Sequence, residues 1–313
     1  MKIWTMGEIL VEIMRPEPDM PLGEIGSFLG PYPSGAPAIF IDTAARLGHK
    51  AGIIGAVGND AFGHSTVDRL KRAGVDITHV SFVDGFSTAV AFVAYESSGD
   101  RTFIYHIGNT PAASALCPDE KTVAPPAPAF FHVMGCSLMA NDEFCTQIHK
   151  AAALFVKLGA KISFDPNIRT ELLGKRSLSD LISPIMEHCA VLLPGVDELK
   201  AISEMKTIEE AASTLFENPV LEMIVLKLGS EGCRVITREE DFSIGVYKIE
   251  PKDPTGAGDS FDAGFLCGLL DGMPLKDAAK HASAAAALNT AAFGPMEGDI
   301  SLESVERLKS GFM

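Results

Sequence analysis

Residues 252–261, Lys-Asp-Pro-Thr-Gly-Ala-Gly-Asp-Ser-Phe, combine the residue types and spacing best suited to chemistry in this chain. Asp253-Pro254 favours a turn, and Gly256-Ala257-Gly258 supplies permissive backbone. From Asp259 onward, Phe261, Phe265, Leu266 and Leu269 follow a helical apolar spacing. A glycine loop feeding a helix N-terminus aims unpaired N–H groups and the positive end of the helix dipole at one point. Such a corner can hold the charge that develops on a transferring phosphoryl group. Asp259 stands at the same corner, where a carboxylate could take the proton of an attacking hydroxyl. An Asp in a first helical turn also serves as an ordinary cap worth about 1 kcal/mol, and the spacing alone does not choose between the two.

Other chemical patterns are weaker. Gly52, Gly55 and Gly58 lack the spacing of a dinucleotide loop, and no Gly-x-x-x-x-Gly-Lys-Ser/Thr occurs. The eight His residues form no His-x-x-x-His or His-x-His pair, so they read as structural. The six cysteines, Cys117, Cys136, Cys145, Cys189, Cys233 and Cys267, include no Cys-x-x-Cys and suit buried thiols in a reducing, cytoplasmic compartment.

Positioning these residues requires a rigid frame, and the chain reads as one. Apolar runs such as KAGIIGAVG, AFFHVMG, AKISFDP, AVLLPG and MIVLKLG alternate with segments such as DAFGHSTVDRLKRAG, NDEFCTQIHKAAALFVKLG and VDELKAISEM. That alternation predicts an α/β fold with a mostly parallel sheet covered by helices. Residues 10–35 and 84–110 break the rhythm; the second region reads as a hairpin around a Ser-Ser-Gly-Asp turn. The two regions could form a small sheet of their own or an antiparallel edge on the main one. The opening MKIWTMGEILVEIM, broken by Glu8 and Glu12, reads as the first strand rather than a signal peptide or membrane span. Ala124 to Pro128 reads as a loop.

A chain of 313 residues, 47% hydrophobic and 21% charged, can bury a large core without metal or disulfide staples. Its net charge of −15 opposes nucleic acid and acidic membrane as partners, but not a nucleotide held by backbone N–H groups.

The whole set resembles the PfkB, or ribokinase-like, family of carbohydrate kinases. Asp253 to Phe261 match its C-terminal signature. Gly7-Glu8, Val57-Gly58-x-Asp60-x-Phe62-Gly63, Asp165-x-Asn167-x-Arg169 and Lys227-Leu228-Gly229-Ser230-x-Gly232 fall in the family's order. The resemblance implies one ribokinase-like domain over 1–313, a three-layer α/β/α body whose small β-sheet lid comes from about 10–35 and 84–110. It implies ATP-dependent phosphorylation of a sugar hydroxyl, with Asp259 as base and Gly256, Ala257 and Gly258 as anion hole. Lys227, Gly229, Gly232 and Ser283 would line the nucleotide, and Arg169 a phosphate. Glu198 would position Mg2+ through water, and Asp253, Thr255 and Gly294 would neighbour a monovalent cation such as K+. Glu12, Ser34, Gly35, Ala36, Tyr105 and His106 would face the sugar.

Three departures bear on substrate and metal. Ile39 stands where the family commonly has a sugar-binding Asn, and Gly195 replaces the Asn of an Asn-x-x-Glu element. Tyr105-His106 lacks the Arg that sugar-acid kinases of the family carry there. The wording is most similar to ketose (tagatose and fructose) kinase-like members, which favours a neutral ketose or pentose. Alternatives are 2-keto-3-deoxygluconate, a nucleoside stacked on Phe92, Tyr95, Phe103 or Tyr105, a sugar phosphate met by Arg101, or a sugar sensor that lost the reaction. Exposed lid edges favour a homodimer.

Overall fold

The structure is a computed structural model and describes residues 2–98, 101–123 and 125–311. Among these, thirteen strands form two sheets. In chain order they are β1 (Lys2–Met6), β2 (Leu10–Met14), β3 (Leu29–Ser34), β4 (Lys50–Gly58), β5 (Asp76–Val83), β6 (Ala89–Tyr95) and β7 (Arg101–His106). There follow β8 (Pro128–Met134), β9 (Lys161–Asp165), β10 (Cys189–Leu192), β11 (Met223–Lys227), β12 (Cys233–Thr237) and β13 (Asp241–Ile244).

The large sheet runs β13-β12-β11-β10-β9-β8-β1-β4-β5. It is parallel from β11 to β5, with β12 and β13 antiparallel at one end. Successive residues of its strands enter opposite cores: Ile3, Met134, Val191 and Val225 face one apolar cluster, and Trp4, Val133, Leu192 and Ile224 face the other. Burial of both faces explains why these strands read as continuous apolar runs rather than alternating ones. Helices Ala36–Arg46, Ala257–Leu270 and Leu275–Thr290 cover the first face. Asp142–Lys157, Leu178–Met186 and Val196–Ser203 cover the second.

The smaller sheet has the order β3-β2-β6-β7 and draws on both irregular regions. A separate sheet, not an edge of the main one, is thus what those regions build. β6 and β7 pair as an antiparallel hairpin; of its Ser-Ser-Gly-Asp turn, Gly99 and Asp100 lie outside the described residues. The opening segment is two strands rather than one. β1 lies in the large sheet and β2 in the small one, parallel to β6, so the chain changes sheets at Gly7-Glu8-Ile9. In the Pro-rich stretch, Ala124 lies outside the described residues, and Pro128 is already the first residue of β8, where a missing N–H costs least. His132 bears out its structural reading: it is fully buried, stacked 3.9 Å from Phe40, and burial pushes its pKa down to about 3.

Candidate active site

Parallel strands deliver their last residues to one edge of a sheet, and ligands bind there where the strand order changes direction. Here β1 is followed in space by β4 on one side and β8 on the other, and the crevice opens above that junction. Glu8, just past β1, meets Cys136 and Ser137, just past β8; both side chains donate to its carboxylate. Asp165 ends β9 and Lys227 ends β11. A cavity of about 220 Å³ lies over these strand ends, roofed by Ala91, Arg101, Phe103 and Tyr105 of the small sheet.

The glycine loop forms the other wall. Gly256 caps helix Ala257–Leu270 with φ +78°, and a Cβ there would stand 2.6 Å from the Pro295 carbonyl oxygen, so glycine is required. No side chain caps this helix. Its free N–H groups therefore face the cavity, which Gly256, Gly258 and Asp259 line. The capping role that the sequence left open for Asp259 is not the one it plays. Asp259 is 8% exposed. Burial, then the neighbouring Asp165, push its pKa up to about 7, opposed by Lys227, Arg169 and Arg101. A carboxylate tuned to neutrality beside a helix N-terminus is suited to accept a proton.

Glu12, on β2, lies across the cavity. Its Oε1 accepts from Ser34 Oγ at 2.6 Å, while its buried Oε2 has no protein partner. Burial pushes its pKa up to about 7, against the Ser34 hydrogen bond and Arg101. An orphaned acceptor in a cavity suits a hydroxyl-bearing ligand. Gly35 (φ +108°) lets the chain turn into helix Ala36–Arg46, and a Cβ there would meet the Glu8 carbonyl oxygen at 2.5 Å. Gly35, Ala36 and Ile39 line the same wall.

Lys227 is held by two carboxylates, 2.7 Å from Asp165 Oδ2 and 3.1 Å from Asp262 Oδ2. Its ammonium stands 3.8 Å from the point a Cβ on Gly258 would occupy, hence beside the helix N-terminus. Burial raises Asp165, but Lys227 outweighs it and holds the carboxyl below its usual range; Asp262, fully buried, lies well above it. Asn167 adopts φ +36°, and its N–H donates to Asp165 Oδ1 at 3.1 Å. This left-handed turn, which Asn tolerates, brings Asn167 and Arg169 into the cavity wall. Glu198 accepts from Ile168 N at 2.9 Å and Gly195 N at 2.7 Å. Its spare lone pairs fit a hydrated divalent ion. Among the described residues no group of three or more His, Cys, Asp or Glu could cage a metal.

Residues 5–301 match the pfkB family carbohydrate kinase pattern. The chain belongs to this family of sugar kinases. It is 30% identical over 319 residues to the fructokinase of Solanum tuberosum, covering 99% of this chain and 96% of that one. Fructokinase-1 of Zea mays is 30% identical over 318 residues, 97% of each chain. Among solved structures, an Escherichia coli protein described as a ribokinase II, in complex with ATP and Mg2+, superposes with a TM-score of 0.92, 36% identity and 99% coverage of both chains. A Vibrio cholerae fructokinase double mutant solved with fructose, ADP and potassium has a TM-score of 0.83 and 25% identity, over 98% of this chain and 97% of that one. This sugar kinase is thus a phosphotransferase acting on an alcohol group, with the ribokinase-like fold that the sequence implied.

The cavity gathers Glu12, Gly35, Ala36, Tyr105, Arg169, Glu198, Lys227, Thr255, Gly256, Gly258 and Asp259 from the sequence-derived set. Ala257 is the first residue of the helix behind it. Ser34 is not among the lining residues but donates to Glu12, which is. Gly229 and Gly232 flank the turn beyond β11, and Ser283 meets the thiol of Cys233 next to that turn. Asp253 accepts from Thr255 N at 2.9 Å, Gly294 N at 2.8 Å and Tyr95 Oη at 2.8 Å, and the Thr255 carbonyl accepts from Asn289 Nδ2 at 2.7 Å. These bonds tie Asp253, Thr255 and Gly294 into one corner, in which protein donors occupy the Asp253 and Thr255 oxygens.

His106 is corrected. On β7 the residues alternate, so Arg101, Phe103 and Tyr105 turn inward while His106 turns to the exposed face, against Phe92 at 6.2 Å. The sequence reading placed Tyr105 and His106 together at the sugar and passed over Glu8, Cys136 and Asp262 as site residues. Strand alternation could have separated the first pair. Glu8 lay within a quoted motif but had no assigned role, and Asp262 sits one helical turn past Asp259 on the same face.

Proposed function

We propose that this kinase transfers the γ-phosphoryl group of Mg-ATP to a hydroxyl of a neutral ketose, with Asp259 as general base. One observation carries the reading: a single cavity holds Asp259, with its pKa near 7, the uncapped helix N-terminus and the orphaned Oε2 of Glu12. Mg-ATP would supply the electrophilic phosphorus and partial charge neutralisation. The chain's own residues do the rest. Glu12 and Glu8 accept sugar hydroxyls, Asp259 takes the proton of the attacking one, and the N–H groups from Gly256 onward hold the transferring oxygens. Lys227 and Arg169 lie close enough to balance charge there, with Gly229, Gly232 and Ser283 along the nucleotide and Glu198 facing its hydrated Mg2+. The small sheet acts as a lid that excludes water.

Two acceptor carboxylates at the sugar end favour a neutral polyol, and the fructokinase relatives favour a ketose. A second reading, a sugar acid or sugar phosphate, is favoured by Arg101 and Arg169, which both line the cavity around Phe103. Coupled ADP release with Mg-ATP decides between them. The panel is fructose, tagatose, ribose, 2-keto-3-deoxygluconate, adenosine and fructose 6-phosphate, each with and without KCl. Turnover with fructose or tagatose supports the first reading, and turnover with the charged substrates alone refutes it.

A cytoplasmic location has the support of the cysteines, all free thiols among the described residues. No helix among those residues is long and apolar enough to cross a membrane. A homodimer through the small sheet has the support of its open edge strands, β3 and β7, and of the exposed Phe28, Leu29 and Ile104. Light scattering on a sizing column tests it.

A further inference from the structure

The small sheet and the glycine loop are joined by side chains whose role nothing above explains. Tyr95, the last residue of β6, reaches out of the sheet, and its phenol stands 2.8 Å from Asp253 Oδ1 and 2.9 Å from Thr255 Oγ1. Arg101, the first residue of β7, donates to the same Thr255 Oγ1 at 3.4 Å. The phenol donates to the Asp253 side chain. The Thr255 hydroxyl then donates to the phenol oxygen, and a directed chain runs from Arg101 through Thr255 and Tyr95 to Asp253. Tyr95 is partly buried, so these bonds are sheltered from water.

Asp253 is the hub of the loop. Besides Tyr95 it accepts the backbone N–H groups of Thr255 and Gly294, which fixes the turn immediately before Gly256. Aromatic contacts repeat the connection. Phe293 lies 5.9 Å from Tyr32 of β3 and 6.4 Å from Tyr95, so two strands of the small sheet grip the residue next to Gly294. A shift of the small sheet cannot leave this loop untouched, because the Tyr95 bond spans 158 residues of sequence and ends on the carboxylate that shapes it.

We propose that Tyr95 is a positioning residue whose phenol latches the small sheet to Asp253. The anion hole from Gly256 to Gly258 then reaches its working geometry only when that sheet covers the sugar. The inference rests on the kinase reading above. It gives transfer a check against water: with the sheet lifted, Asp253 loses a donor and the loop loosens, so bound ATP is not hydrolysed in place of the sugar reaction.

The test is Tyr95→Phe, which keeps the ring against Phe293 and removes only the O–H. Losing one sheltered hydrogen bond that positions the loop should lower kcat about tenfold, with the sugar and ATP KM values within about threefold. Sugar-independent ATP hydrolysis should not rise above wild type, because the loosened loop is the state that the lifted sheet already imposes, so the hydrolysis-to-transfer ratio rises only through the fall in kcat. Thr255→Val, which cuts the same chain one link further on, should repeat the pattern. Amide hydrogen exchange in residues 253–258 should quicken in Tyr95→Phe at an unchanged melting temperature, a readout independent of turnover. Wild-type kcat and hydrolysis ratio in Tyr95→Phe would overturn the proposal, as would a rise in sugar KM alone, which would make Tyr95 a sugar contact. If the wild type phosphorylates nothing on the panel, the kinase reading fails by itself. Hydrogen exchange still decides the latch, and unchanged exchange at 253–258 overturns it.

Discussion

Replacing Asp259 with Asn tests the proposed base most directly, because the structure gives this carboxylate no capping role whose loss could be mistaken for lost catalysis. The residue is 8% exposed, and helix Ala257–Leu270 carries no side-chain cap, so the carboxylate holds no helix end. Asn has nearly the same volume and removes a charge that burial disfavours. The melting temperature should therefore stay within about 1 °C, the effect of at most a few tenths of a kcal/mol. The rate should fall by about 10² to 10⁴, the usual size of general-base catalysis, while both KM values hold within a few-fold.

The wild-type pH profile provides a second check on the same group. A base works deprotonated, and burial has pushed Asp259 upward to about 7. On Asp259 alone, about three quarters of the enzyme is then competent at pH 7.5 and about a tenth at pH 6, so kcat/KM should fall at least about eightfold between them, with protonation of Glu12 adding to the fall. An unperturbed carboxylate would show no such change in that range. Steady-state ADP release for both proteins suffices. A variant retaining more than half of wild-type turnover, or a profile flat from pH 6 to 7.5, would refute the assignment.

Three further outcomes follow from the geometry. Glu12→Gln, which weakens the charged acceptor at the sugar, should raise sugar KM by about 10- to 100-fold with little change in ATP KM; a change confined to ATP would move the sugar site elsewhere. Lys227→Met leaves Asp165 and Asp262 buried without their cation, a loss of about 3–5 kcal/mol that should lower the melting temperature by roughly 5–15 °C. Adding Asp262→Leu should recover part of that loss, and an unchanged single variant would show the pair to be immaterial. His106→Ala, on the outward face of β7, should leave kcat/KM for the sugar within about twofold; a tenfold loss would show that the strand presents its other face to the substrate.

Features that depend on neighbours along the chain could be read from the residues alone. Asp253 to Asp259 fold as one turn and the start of one helix, so the proposed base and anion hole were legible from consecutive residues. The strands from β8 to β11 were legible because burial of both faces demands unbroken apolar runs. Even the two interruptions of that rhythm marked the small sheet, though the passage from β1 to β2 did not show, since the apolar pattern continues across Gly7-Glu8. Which distant side chains meet depends on how the strands and helices pack in space. Lys227 finds Asp165 and Asp262, Glu8 finds Cys136 and Ser137, and Tyr95 finds Asp253. The turning of Tyr105 inward and His106 outward likewise waited on the register of β7 with β6. Each of these contacts joins residues set by separate strand ends, and the energy that selects them is shared between segments, leaving no period or spacing in either segment to read.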